Sequence, residues 1–245
     1  MTRMLKRVLD PMLRLWSPFF LLRAGIASSV FPQPTDAPRV HIGGPDPDRI
    51  LVVGGGITVG FGVLSHALGI AGHLARKVSG ATGRGVDVDI IARHDLTIDD
   101  VPSILVDSNL DSYDAVVLML GVTDSMKRTS ARAWRQGVAE LIHAISDRAA
   151  AGGHIFVVGV QPVRLVTTLD NRVGFFAELH ARALDRESIR ACAGSSQSTY
   201  IPFHPQREPT ERYRSSDTYG KWAGLLSPAV VDVLQRNHPL GDFSI

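Results

Sequence analysis

A chain of 245 residues that is 44% apolar and 20% charged can bury a substantial core, which excludes a disordered or fibrous protein. The formal net charge is only +2, the arginines are scattered, and no basic run is interleaved with aromatics, so nucleic acid is not an expected partner. Cys192 is the single cysteine, which excludes an internal disulfide and a cysteine metal cluster and fits a reducing cytoplasm.

Residues 1–30 differ in character from the rest. Leu5, Leu9, Met12 and Trp16 fall on one helical face, with Arg3, Lys6, Arg7 and Arg14 mostly elsewhere. Arg14 and Arg23 interrupt the best apolar window, which leaves too little for a spanning helix of about 20 residues. Pro18 and Arg23 also break the apolar region that a signal peptide needs. A signal sequence stays open despite that break, and two further readings are favoured for this basic amphipathic segment. It lies at a membrane surface, making a cytoplasmic protein peripheral there, or it packs on the domain or a partner chain. Residues 31–48, with Pro32, Pro34, Pro38, Gly43, Gly44, Pro45 and Pro47, read as a linker or extended arm. The domain is expected over residues 49–237, with a short tail at 238–245.

From Arg49 onward, strands and helices alternate. Ile50–Val53 is an apolar strand running into Gly54, Gly55 and Gly56, and a helical pattern follows from Ser65, read as its N-cap. Ala71, Leu74, Ala75 and Val78 make one helical face. Val86–Ile91, Ala115–Leu120 and Ile155–Val160 read as buried strands, with a short fifth strand near Tyr200–Phe203. Helices are expected around Trp134–Ile145, Phe175–Ile189 and from Tyr219, the last kinked or restarted at Pro228. Continuous apolar strands alternating with helices imply a three-layer α/β/α, flavodoxin-like parallel sheet covered on both faces. In such sheets ligands sit at the carboxyl ends of the strands.

The order of motifs resembles the SGNH hydrolases, also called GDSL esterases and lipases. The resemblance is carried by Gly54-Gly55-Gly56-Ile57-Thr58-Val59-Gly60 after the first strand and by Leu118-Met119-Leu120-Gly121-Val122-Thr123-Asp124. Gly159-Val160-Gln161-Pro162 and Tyr219-Gly220-Lys221-Trp222-Ala223 complete it. It implies an esterase fold but not the family's chemistry. The nucleophilic serine falls on Gly56 and its preceding aspartate on Gly55. The second-block glycine falls near Asp95 when Thr97 is matched to the family's threonine, and the third-block asparagine falls on Thr123. The histidine falls near Tyr213, with its aspartate near Thr210. Acyl transfer by this route needs a hydroxyl, a base and oxyanion donors, and a carboxylate at Asp95 would repel a developing oxyanion.

The resemblance therefore implies a pseudoenzyme kept for binding or regulation. Its pocket would be formed by Gly54, Gly55, Gly56, Ile57, Thr58, His94, Asp95, Gly121, Thr123 and Asp124, and would take a small-molecule or acyl ligand. One alternative is an active esterase or acyltransferase using Thr58, or His94 with Asp124. A weaker one is a nucleotide- or phosphate-binding module built on the backbone of Gly54–Gly56 and a following helix start. His94, Asp95 and Asp124 could meet at the sheet edge, but two carboxylates and one imidazole without metal spacing are a thin ligand set. Neither a metal nor a cofactor is expected.

Overall fold

The computed structural model describes residues 31–150, 152–165, 172–206 and 215–237. The basic segment at 1–30, the tail at 238–245, and Thr210 and Tyr213 lie outside the described residues. In chain order the elements are β1 (Arg39–Ile42), β2 (Asp48–Gly54), α1 (Ile70–Thr82), β3 (Val86–Ala92) and the short α2 (Val101–Ile104). They continue with β4 (Ala115–Met119), α3 (Val122–Lys127), α4 (Ala131–Ser146), β5 (His154–Val158), α5 (Arg172–Cys192), β6 (Ser198–Ile201) and α6 (Ser216–Asn237).

The six strands form one sheet in the order β1-β3-β2-β4-β5-β6. From β3 to β6 every pairing is parallel, with Ile50 opposite Ala115 and Gly54 opposite Met119 across β2 and β4. Because side chains along β2 to β6 alternate in side, these strands feed two cores. Ile50 and Val52 of β2 join the core under α1 and α6, while Leu51 and Val53 join the one under α4 and α5. Trp134 in the second core donates its Nε1–H to Ser188 Oγ at 2.9 Å, which ties α4 to α5. This is the layered α/β/α arrangement that continuous apolar strands require.

Three expectations are corrected. The sheet begins at Arg39 rather than Arg49, because four residues of the proline-rich arm form β1, antiparallel to β3, with Arg39 opposite Asp89 and Ile42 opposite Val86. Val40 is buried there, so the arm gains one apolar anchor and covers the edge of β3. Ser65 does not cap a helix with its side chain; a 3-10 turn (His66–Leu68) follows it, and α1 starts only at Ile70, after Gly69. Helix α6 runs through Pro228 without a break. Pro228 lies on the solvent side, where water can satisfy the carbonyl that its missing N–H leaves open.

A buried ion pair closes the end of the molecule opposite the strand carboxyl ends. Asp48, at the start of β2, accepts from Arg84 Nε at 3.2 Å and Nη2 at 2.6 Å. Arg84 Nη2 also donates to Leu234 O at 3.2 Å, so one guanidinium joins β2, the turn before β3 and the end of α6. Replacing Arg84 by Leu takes the cation from a buried carboxylate and should cost about 3–5 kcal/mol, read as a lower urea midpoint. The double variant Asp48→Leu/Arg84→Leu should recover most of that loss.

Candidate ligand cleft

The sheet order reverses direction at β2, since β3 lies on one side of it and β4 on the other. The carboxyl ends of the strands diverge at such a switch point. A cleft opens there, lined by Gly55, Gly56 and Ile57 after β2, and by His94 and Leu96 after β3. Its other wall is Met119 to Thr123, at the junction of β4 and α3, together with Gly159 and Gln161 after β5. About 40 Å³ is open to the centre of a water-sized sphere. That is room for roughly three waters, so the cleft suits an acetyl- or amide-sized group rather than a long acyl chain.

The glycines that shape it have separate physical reasons. A Cβ on Gly54 would lie 2.4 Å from Met119 O and 2.5 Å from Thr58 Oγ1, so only glycine lets β2 end against β4. Gly121, at φ +105°, starts α3 in a conformation that side-chain-bearing residues rarely adopt, and a Cβ there would meet Val160 at 2.5 Å. Gly56 sits at φ +47° and faces Gln161, whose Oε1 is 3.6 Å from where a Gly56 Cβ would stand.

Of the ten residues expected to form the pocket, Gly55, Gly56, Ile57, His94, Gly121 and Thr123 are brought together in the cleft wall. Gly54, Thr58, Asp95 and Asp124 are not. Gly54 is the last residue of β2, and Thr58 folds beneath the turn at 2% exposure, without a hydrogen-bond partner for its hydroxyl. Asp95 points into solvent and pairs with Arg93 Nε at 2.7 Å, while buried Leu96 anchors the same loop. The carboxylate expected to confront an oxyanion is thereby turned outward, and His94 takes a place in the wall. Asp124 is fully buried behind the cleft, accepting from Ile98 N at 3.3 Å and Thr129 Oγ1 at 3.0 Å. His94, Asp95 and Asp124 are therefore not gathered, and among the described residues no three His, Cys, Asp or Glu side chains are grouped to hold a metal. The phosphate-site geometry is absent as well, because the glycine turn leads into a loop and α1 begins only at Ile70.

Sequence reasoning left out Leu96, Met119, Leu120, Val122, Gly159 and Gln161. Gln161 carried a readable signal: a polar residue directly after an uninterrupted apolar strand, at the strand end where such folds bind ligands. Its neighbour Val160 is held by Asp185 of α5, which accepts the Val160 N–H at 2.8 Å. Burial pushes the Asp185 carboxyl above its ordinary range, while bonds from Val160 and the Tyr200 hydroxyl pull it back. A serine–histidine hydrogen bond occurs elsewhere. His73 Nε2 lies 2.9 Å from Ser216 Oγ and joins α1 to the start of α6, away from the cleft wall.

No protein-family model matches the sequence, and no curated protein sequence matches it. Solved structures do. The lipase/acylhydrolase from Enterococcus faecalis superposes with a TM-score of 0.59 at 14% identity, covering 76% of this chain and 96% of that one. TesA gives 0.57 at 15% identity over 76% of this chain and 99% of its own. Est24, a carbohydrate acetylesterase from Sinorhizobium meliloti, gives 0.56 at 11% identity, over 76% and 99%. The chain has the SGNH-hydrolase fold. Gly56 and Thr123, which the sequence resemblance sets against the family's serine and asparagine, line the same cleft, whereas Asp95 does not.

Asp124 gives the site a pH signature. Burial is the main cause that raises its carboxyl from 3.8 to about 6, against the opposing bonds from Thr129 and Ile98. The folded state therefore holds this proton after the unfolded chain has lost it, and the stability it contributes is present at low pH and lost as pH rises from about 4 to about 6. Asp124→Asn keeps an acceptor and removes the titration. Relative to wild type it should gain on the order of 3 kcal/mol between about pH 4 and pH 7, measured by urea unfolding.

Proposed function

We propose that this SGNH-fold domain is a pseudoenzyme that binds a small ligand in the cleft and does not perform acyl transfer by the serine route. The observation that carries the reading is Gly56. At the position that the resemblance sets against the family's nucleophile the cleft wall has a glycine, which carries no hydroxyl to form the acyl intermediate of that route. The polar side chains in the wall are His94, Thr123 and Gln161, and the buried carboxylate nearest in sequence, Asp124, is spent on Ile98 and Thr129. With a glycine at the nucleophile position, the wall of glycine backbone, apolar side chains and a few polar groups supports recognition as its role.

Purified protein should hydrolyse p-nitrophenyl acetate and butyrate no faster than buffer, and His94→Ala, Thr123→Ala and Ser216→Ala should be indistinguishable from wild type. Turnover by wild type that is abolished in any one of these three variants overturns the reading and names the residue on which catalysis depends.

The basic segment at residues 1–30 fits the same reading as a membrane-surface anchor, because its apolar face and its flanking arginines match the two layers of a lipid interface. No helix among the described residues is long and apolar enough to cross a membrane. Full-length protein should float with vesicles containing anionic lipid, and Leu9→Glu/Trp16→Glu should abolish flotation while leaving the circular dichroism of the domain unchanged. Equal flotation by both proteins refutes the anchor.

A further inference from the structure

Gln161 is 4% exposed, and both its Oε1 and its Nε2 are buried without a hydrogen-bond partner. A buried carboxamide with no protein partner on either side is costly unless something else completes it, and natural proteins rarely keep one without a use for it. Because neither atom has a partner, this does not depend on which of them is oxygen. The side chain belongs to the cleft wall and faces Gly56, where the opposite surface carries no side chain. Val160, immediately before it, is clamped by Asp185, so the position of the amide is held from behind.

We infer that Gln161 is the recognition residue of the cleft and that its ligand presents a hydrogen-bond donor and an acceptor side by side, as a primary carboxamide or a lactam does. This deepens the binding reading given above and rests on it. The chemistry follows from the Gln161 side chain. A carboxamide offers one donor and one acceptor on the same edge. A primary amide or lactam matches both at once. A carboxylate satisfies the Nε2–H but sets oxygen against oxygen at Oε1, and an ordinary secondary amide, being trans, points its N–H and C=O in opposite directions. The volume of the cleft limits the group to this size, and Ile57, Leu96 and Met119 supply an apolar flank for its carbon atoms. The turn at Gly55–Gly56 faces the buried amide, so ligand entry requires this turn, which carries no side chain, to shift outward.

The test is an NMR titration of the full-length protein with propionamide, 2-pyrrolidinone, propionate and N-methylacetamide, following the Gln161 side-chain amide resonance. The first two should shift that resonance and bind at least about tenfold more tightly than the last two, since two neutral hydrogen bonds are at stake. Gln161→Met, of similar volume, should weaken the first two by at least about tenfold and leave the unliganded Tm unchanged or higher, because no internal bond is lost. Equal binding of propionate, affinity unchanged in Gln161→Met, no binding of any probe, or a clear fall in the unliganded Tm of that variant each overturns the inference. These results stand apart from the esterase assay: binding without dependence on Gln161 leaves the non-catalytic reading intact, whereas ester turnover lost in a cleft variant removes that reading.

Discussion

Strand β2 can end against β4 only because residue 54 has no side chain. With 2.4 Å between a Cβ there and Met119 O, any other residue would push the two strands apart at their carboxyl ends. The parallel register from Ile50–Ala115 to Gly54–Met119 would then fail at its last pair, and with it the turn that carries Gly55, Gly56 and Ile57. The cleft is a consequence of that approach. It lies where the sheet reverses its order, between two strands that stay close until the chain leaves them.

The two ends of the sheet treat buried polar groups in opposite ways. At the amino end of β2, Asp48 and Arg84 satisfy each other and the carbonyl of Leu234, as a buried charge requires. Behind the cleft, Asp124 accepts from Ile98 N and the Thr129 hydroxyl, which makes it a strut between the Thr97–Ile98 loop and α3 rather than a reactive group. Gln161 stands apart from both, buried and unpartnered in a wall built of glycine and apolar side chains. A protein interior tolerates such a group when an external partner completes it.

Much of the fold was legible from periodicity. The apolar runs 50–53, 115–120 and 155–160 all became strands of the parallel sheet, because a strand covered on both faces has no polar side to show, and 86–91, with Asp87 and Asp89 on its more open side, joined them beside the edge strand. β1 was not legible. The alternation Arg39-Val40-His41-Ile42 spans only four residues between prolines and glycines, too few to mark a strand, and their pairing with β3 depends on a partner more than forty residues away. The site was legible in part for the same kind of reason. Gly55, Gly56, Gly121 and Thr123 lie on strand ends that the motifs mark. Whether Asp95 or His94 faces the cleft was decided by the Arg93–Asp95 ion pair and the burial of Leu96, which no spacing rule contains.

By itself, the sequence determined the class of fold, the strand ends at which the cleft opens, and the absence of a hydroxyl at Gly56, because hydrophobic period and residue chemistry are local properties. Only the tertiary structure decided which polar groups reach the cleft. It removed Thr58, Asp95 and Asp124 from the wall and placed Gln161 in it, because burial and hydrogen-bond satisfaction depend on which distant segments pack together.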